Sequence, residues 1–175
     1  LETARSLLED QAILHCECEL LLRSNQGERV QSGYVKYREL IRTCEAQGDS
    51  LTLAHCVARL GWMEGSSGGH DSAAQFYGRA YRIYTSNGLE DAALLAQRNI
   101  GIGQWKSGEL EAAIATLNTA LKKAQSANDL RMRLMLLNDL AMVSAVEAED
   151  QAIAYDRQAD AVLEALSRAL ESDLF

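Results

Sequence analysis

His15, Cys16 and Cys18, echoed forty positions later by His55 and Cys56, are the side chains in this sequence best suited to holding a metal. Imidazole and thiolate are good ligands for Zn²⁺, and stacking of two similar segments could bring these five together. Their spacings match no zinc pattern, however, and the chain contains no CxxC pair. Cys16 and Cys56 also share a register position with Ala96 and Leu136, where a buried cysteine acts as a small hydrophobe. The expected role is packing, with no metal and no cofactor. Cys16 and Cys18 cannot bridge on one helix, because residues two apart point in different directions. With Cys44 they are expected to be thiols in a reducing, cytoplasmic compartment. His70, beside a Gly/Ser stretch, is expected to be solvated.

Catalytic chemistry finds less support. No phosphate loop, nucleophile elbow or HExxH helix is present. Acid pairs such as Glu147 and Asp150 fall on the polar side of a helix end, where capping or surface pairing accounts for them. The expectation is a protein that is not an enzyme. Recognition chemistry is better represented. Trp62 and Trp105 are the two tryptophans, and Trp and Arg are typical interface anchors. Arg59 and Arg98 could pair with a carboxylate. Asn99 and Asn138 could both donate to and accept from a peptide backbone.

The elements that must carry these groups follow from a period of 40 residues. Leu20-Leu21, Leu60-Gly61, Ile100-Gly101 and Leu140-Ala141 fall in register. So do Gly33, Ala73 and Ala113; Tyr37, Tyr77 and Leu117; Leu40, Ala80 and Ala120. A fixed period of this size signals a stacked repeat array. The absence of proline and the abundance of Ala, Leu, Glu and Arg favour helix nearly everywhere. In one unit, Asp91–Lys106 and Glu109–Ala127 carry apolar residues at helical spacing. Gly48-Asp49, Gly88-Leu89 and Asn128-Asp129 mark the joints, since Gly or Asn suits a left-handed helix cap.

The spacing predicts units at 10–48, 49–88, 89–128 and 129–175, with 1–9 as the end of a preceding helix. Within them it predicts helices at 10–25, 29–46, 50–64, 71–86, 129–145 and 150–172, with Gly65–Gly69 as a wide turn. A helix that starts mid-unit suggests a piece of a longer protein. Mid-helix glycine costs about 1 kcal/mol relative to alanine, so Gly61 and Gly101 are expected to permit close approach of a partner helix at Ala73 and Ala113.

At 47% hydrophobic and 24% charged residues, the 175-residue chain has the composition of a folded domain. The net charge is −8, and from Glu147 onward eight acids face two arginines, a local −6 that leaves −2 for the rest. No basic stripe offers itself to phosphates, so nucleic acid is not an expected partner. No apolar run is long enough to span a membrane.

With Leu60-Gly61, Gly68, Ala73, Tyr77 and Ala80 in one unit, and Ile100-Gly101, Gly108, Ala113, Leu117 and Ala120 in the next, the chain resembles the tetratricopeptide repeat family. It departs from the usual pattern in its longer period, its missing closing proline, and residues such as Val57, Gln97, Glu64 and Gln104 at the usual Trp and Tyr positions. The resemblance implies an all-α fold, an α-solenoid of about four helix-turn-helix repeats in a right-handed superhelix. It also implies a non-catalytic protein- or peptide-binding module whose first helices line a concave groove. On that face fall His55, Arg59, Trp62, Leu95, Arg98, Asn99, Ile102, Trp105, Asn138 and Met142. Glu19, Arg59, Asn99 and Asp139 form one of its outward columns. A sensory or regulatory domain of a signalling protein with a transcription-activator, kinase or cyclic-nucleotide output is the other function the resemblance suggests. Self-association through exposed array ends is a further expectation.

Overall fold

Without a single proline to interrupt it, the backbone closes helix after helix, and the first five described helices are each followed within two residues by a glycine or asparagine in the left-handed conformation. The computed structural model describes residues 27–172. Over that span lie α1 (Gly27–Gln47), α2 (Ser50–Ser66), α3 (His70–Ser86), α4 (Glu90–Lys106), α5 (Leu110–Ser126), α6 (Leu130–Ser144) and α7 (Glu149–Ser172). The helices expected at 1–9 and 10–25 lie outside the described residues, as do His15, Cys16 and Cys18.

Each helix packs chiefly on the next, and α4 also touches α6. That serial pattern is an all-α array of repeated helices, stabilised chiefly by packing between neighbours.

The joints repeat one mechanism. Gly48, Gly88 and Asn128 have φ of +71°, +69° and +54°. The following amide then reaches back five residues: Asp49 N–H donates to the Cys44 carbonyl, Leu89 to Tyr84 and Asp129 to Ala124, each at 3.0 Å. Those bonds satisfy carbonyls that a helix end would otherwise leave open. The Asp49 and Asp129 carboxylates start the next helices by accepting from the Thr52 and Met132 amides. Leu89 can offer no such cap. The joint after α2 is shorter than the sequence suggests. α2 continues through Gly65 and Ser66, with the Ser66 and Ser67 hydroxyls donating back to the Trp62 and Met63 carbonyls. Only Ser67–Gly69 form the turn, so no wide loop exists there.

Inside the hairpins the small residues do what the period predicts. A Cβ on Gly61 would lie 3.3 Å from the Ala73 carbonyl oxygen and 3.2 Å from the Tyr77 ring. A Cβ on Gly101 would lie 3.5 Å from the Ala113 oxygen and 2.7 Å from Leu117 Cγ. The same columns meet in both hairpins.

Two apolar clusters result. One gathers Tyr37, Leu40, Cys44, Cys56, Leu60 and Tyr84. The other gathers Leu117, Leu121, Leu136, Leu140, Tyr155 and Val162. α4 belongs to both, giving Ala93 and Ala96 to the first and Leu94 to the second. Cys44 and Cys56 are buried and outside any disulfide. Burial, reinforced by the nearby Asp49 charge, raises the Cys44 thiol above its usual value, so it stays protonated and inert. Asp150 lies in the first turn of α7, where the helix dipole favours an acid.

Tyr84 gives the first cluster a pH limit. Its hydroxyl is buried and hydrogen-bonds with His55 Nδ1 at 3.0 Å. Burial first, then the neighbouring Cys56, pushes it from 10.0 up to about 12. The folded state therefore keeps this proton at pH values where the unfolded chain has released it. The associated stability is fully present below pH 10 and is lost as pH rises through about 12. In urea titrations the wild-type midpoint should fall steeply across that window, whereas Tyr84→Phe should show a much shallower fall. Parallel slopes for the two proteins would remove Tyr84 from the account.

Candidate binding face on α2, α4 and α6

Residues forty apart on α2, α4 and α6 put one stripe of each helix on a common face. Trp62 and Met142 are each 45% exposed there, Leu95 42% and Met135 38%. Side chains of this size and polarity are ordinarily withdrawn from water, so their recurrence on one face is informative.

A cleft of about 220 Å³ opens between α2 and α4 with the start of α3 as its floor. Trp62, Tyr77, Asn99, Ile102 and Lys106 contribute to its walls. Its position follows from local sequence. Gly61 lets the edge of the Tyr77 ring pack against α2, and Gly103 lets α4 approach Ala74 and the His70 carbonyl, at 3.1 and 3.3 Å from where a Cβ would stand. The Arg59 guanidinium stacks over the Trp62 ring at 4.3 Å, which holds the indole upright. Burial raises the Tyr77 hydroxyl above its ordinary value, with the Arg59 and Arg98 charges pulling the other way. The site is therefore aromatic and apolar along one wall and amide- and ammonium-bearing along the other. Such a surface suits an apolar anchor flanked by polar backbone.

Of the residues placed on this face by sequence, Trp62, Asn99 and Ile102 line the cleft, and Arg59 supports it from behind. Leu95, Asn138 and Met142 are exposed outside it. His55 is turned toward Tyr84, edge to face at 5.5 Å between ring centres. Trp105 is half-buried and packs on the C-terminal cluster. Arg98 grips Asp139 of α6 through two hydrogen bonds, Nε to Oδ2 and Nη2 to Oδ1, the latter 2.9 Å. Asp139, expected to face outward, is 6% exposed because this pair draws it into the α4–α6 contact.

Sequence reasoning missed three contributors. Tyr77 shares the packing column of Leu117, but its ring is longer and its edge reaches the cleft. Lys106 continues the α4 stripe one turn past Ile102, beyond the columns that the forty-residue period defines. His70, expected to be solvated, is half-buried, and its Nδ1 is shielded from water without a hydrogen-bond partner. Among the described residues no group of three or more His, Cys, Asp or Glu side chains could hold a metal ion. Nor is any described helix long and apolar enough to cross a membrane.

No family model and no curated protein matches the chain. Solved structures do. One is a single-residue variant of a Podosopora anserina protein described as a kinesin light chain with nearly identical TPR-like repeats. It is 14% identical, with a TM-score of 0.43, over 90% of this chain and 98% of that one. A second structure under the same description is 14% identical, with a TM-score of 0.35, over 94% and 97%. By its own packing, this chain is an array of paired helices.

Proposed function

We propose that this protein is a non-catalytic interaction module that holds a peptide or helical segment of another protein against the face of α2, α4 and α6. The observation that carries this reading is the recurrence of exposed Trp62, Leu95, Met135 and Met142 beside the cleft of Tyr77, Asn99 and Ile102. Helical arrays offer extended binding surfaces of this kind. An apolar side chain of the ligand enters between Trp62 and Ile102, and the Asn99 amide bonds its backbone.

Arg98 is a poor probe of binding, because removing it strands Asp139. The informative variants are Trp62→Ala and Asn99→Ala. Peptides selected on the wild-type protein from a displayed random library should bind Trp62→Ala at least about tenfold more weakly, a loss typical of an interface anchor. Val35→Ser, on α1, should bind normally, and all three variants should keep the wild-type helical content. Equal affinity across the set would move the binding face elsewhere.

A further inference from the structure

Gly78 stands at the centre of α3, and no contact among the described residues accounts for it. Gly61, Gly101 and Gly103 each have a neighbour that a Cβ would crowd, whereas a Cβ on Gly78 would meet nothing within 4 Å. A glycine at mid-helix weakens the helix, and here no internal contact is gained in return. The bare backbone here leaves room for another helix to approach closely.

The residues on the same stripe identify the visitor. Asp71, Gln75, Gly78 and Arg82 are spaced by four, three and four, which places them along one side of α3 over roughly 16 Å. Asp71, Gln75 and Arg82 are exposed. Among the described residues none of these three has a hydrogen-bond or ion-pair partner, although Arg79 next to them is tied to Glu45. The spacing is a palindrome. Reversed, it sets Asp71 against Arg82 and Gln75 against Gly78. The stripe therefore complements itself in antiparallel orientation, and an identical helix makes use of both ends at once.

All four residues line an open cleft of about 940 Å³, the space such a helix would fill. Gln104, whose buried Oε1 has no hydrogen-bond partner, lines the same cleft and offers an acceptor to incoming donors.

We infer that a second copy of this chain docks here, α3 against α3 about a twofold axis. Asp71 of each protomer faces Arg82 of the other, and the helices cross between Gln75 and Gly78. A twofold contact of this type uses one surface twice, so every substitution acts twice. No residue of this cleft also lines the cleft of Trp62, Asn99 and Ile102, so dimer formation leaves the latter open.

Sedimentation equilibrium of the whole chain tests this. Wild type should dimerise reversibly, less tightly as salt rises. Asp71→Arg alone, or Arg82→Asp alone, turns both charge pairs repulsive and should weaken the dimer on the order of 30-fold. An equimolar mixture of those two single variants restores both pairs and should associate again, as should the double charge swap. Gly78→Leu should abolish the dimer in either background, while Gly78→Ala should raise the melting temperature of the monomer. Wild type that stays monomeric at millimolar concentration overturns the inference. So does a dimer indifferent to either charge reversal, or a mixture that fails to associate although each variant is folded by circular dichroism.

Discussion

Asp139→Ala should destabilise the protein by about 3 kcal/mol, the lower end of the usual loss when one partner of a buried ion pair is removed. The carboxylate is 8% exposed at the side chain and the guanidinium 22%. Partial hydration of Arg98 after the loss places the figure at the low end. The loss comes mainly from leaving Arg98 charged and half-buried without its partner, so it measures a stranded cation and not the net value of the pair. The double variant Arg98→Met/Asp139→Leu removes both charges at similar volume and should lie within about 1 kcal/mol of wild type. Urea unfolding of Arg98→Met, Asp139→Leu and the double variant gives the coupling directly. Additive losses would show that the two side chains do not act as a unit.

Gly101→Val should cost about 3 kcal/mol, at the top of the range for overpacking a helix contact. The new Cβ alone would sit 2.7 Å from Leu117 Cγ and 2.8 Å from its Cδ2. Leu117 is fully buried and has little room to yield. Gly101→Ala is milder, because alanine recovers about 1 kcal/mol of helix propensity. Adding Leu117→Ala opens the space that valine needs, so the double variant should be more stable than the sum of the singles predicts. Gly61→Val should cost less than Gly101→Val, since the facing atoms are the edge of the half-buried Tyr77 ring at 3.2 Å. A reversed order in thermal melts would show that the two hairpins do not share one contact geometry.

The array itself was legible because its signals are local and repeated. Gly and Asn at 48, 88 and 128, and Gly61 and Gly101 opposite Ala73 and Ala113, each state a backbone requirement that no other residue type meets as well. Side-chain partners were less legible. Arg98 and Asn99 look equally outward on a helical wheel. Which of them stays available depends on Asp139, 41 residues away, and on how closely α6 approaches α4. Tyr77 hid behind its own column, because Leu117 at the same position is fully buried. The Gly65–Gly69 stretch suggested a wide loop, yet the helix runs on through Gly65 and Ser66, with serine hydroxyls bonding back to the preceding turn. Periodicity reports what repeats, and a binding face is built from what differs between repeats.

α4 is shared by two apolar clusters, borders the cleft on one side and holds Asp139 on the other. Local opening at either terminus can therefore proceed without disturbing the far half, as in a chain of nearest-neighbour units. Release of α4 cannot, because both halves lose their common wall together. A guest seated against Asn99 and Ile102 grips that wall, so its binding energy steadies helices it never touches.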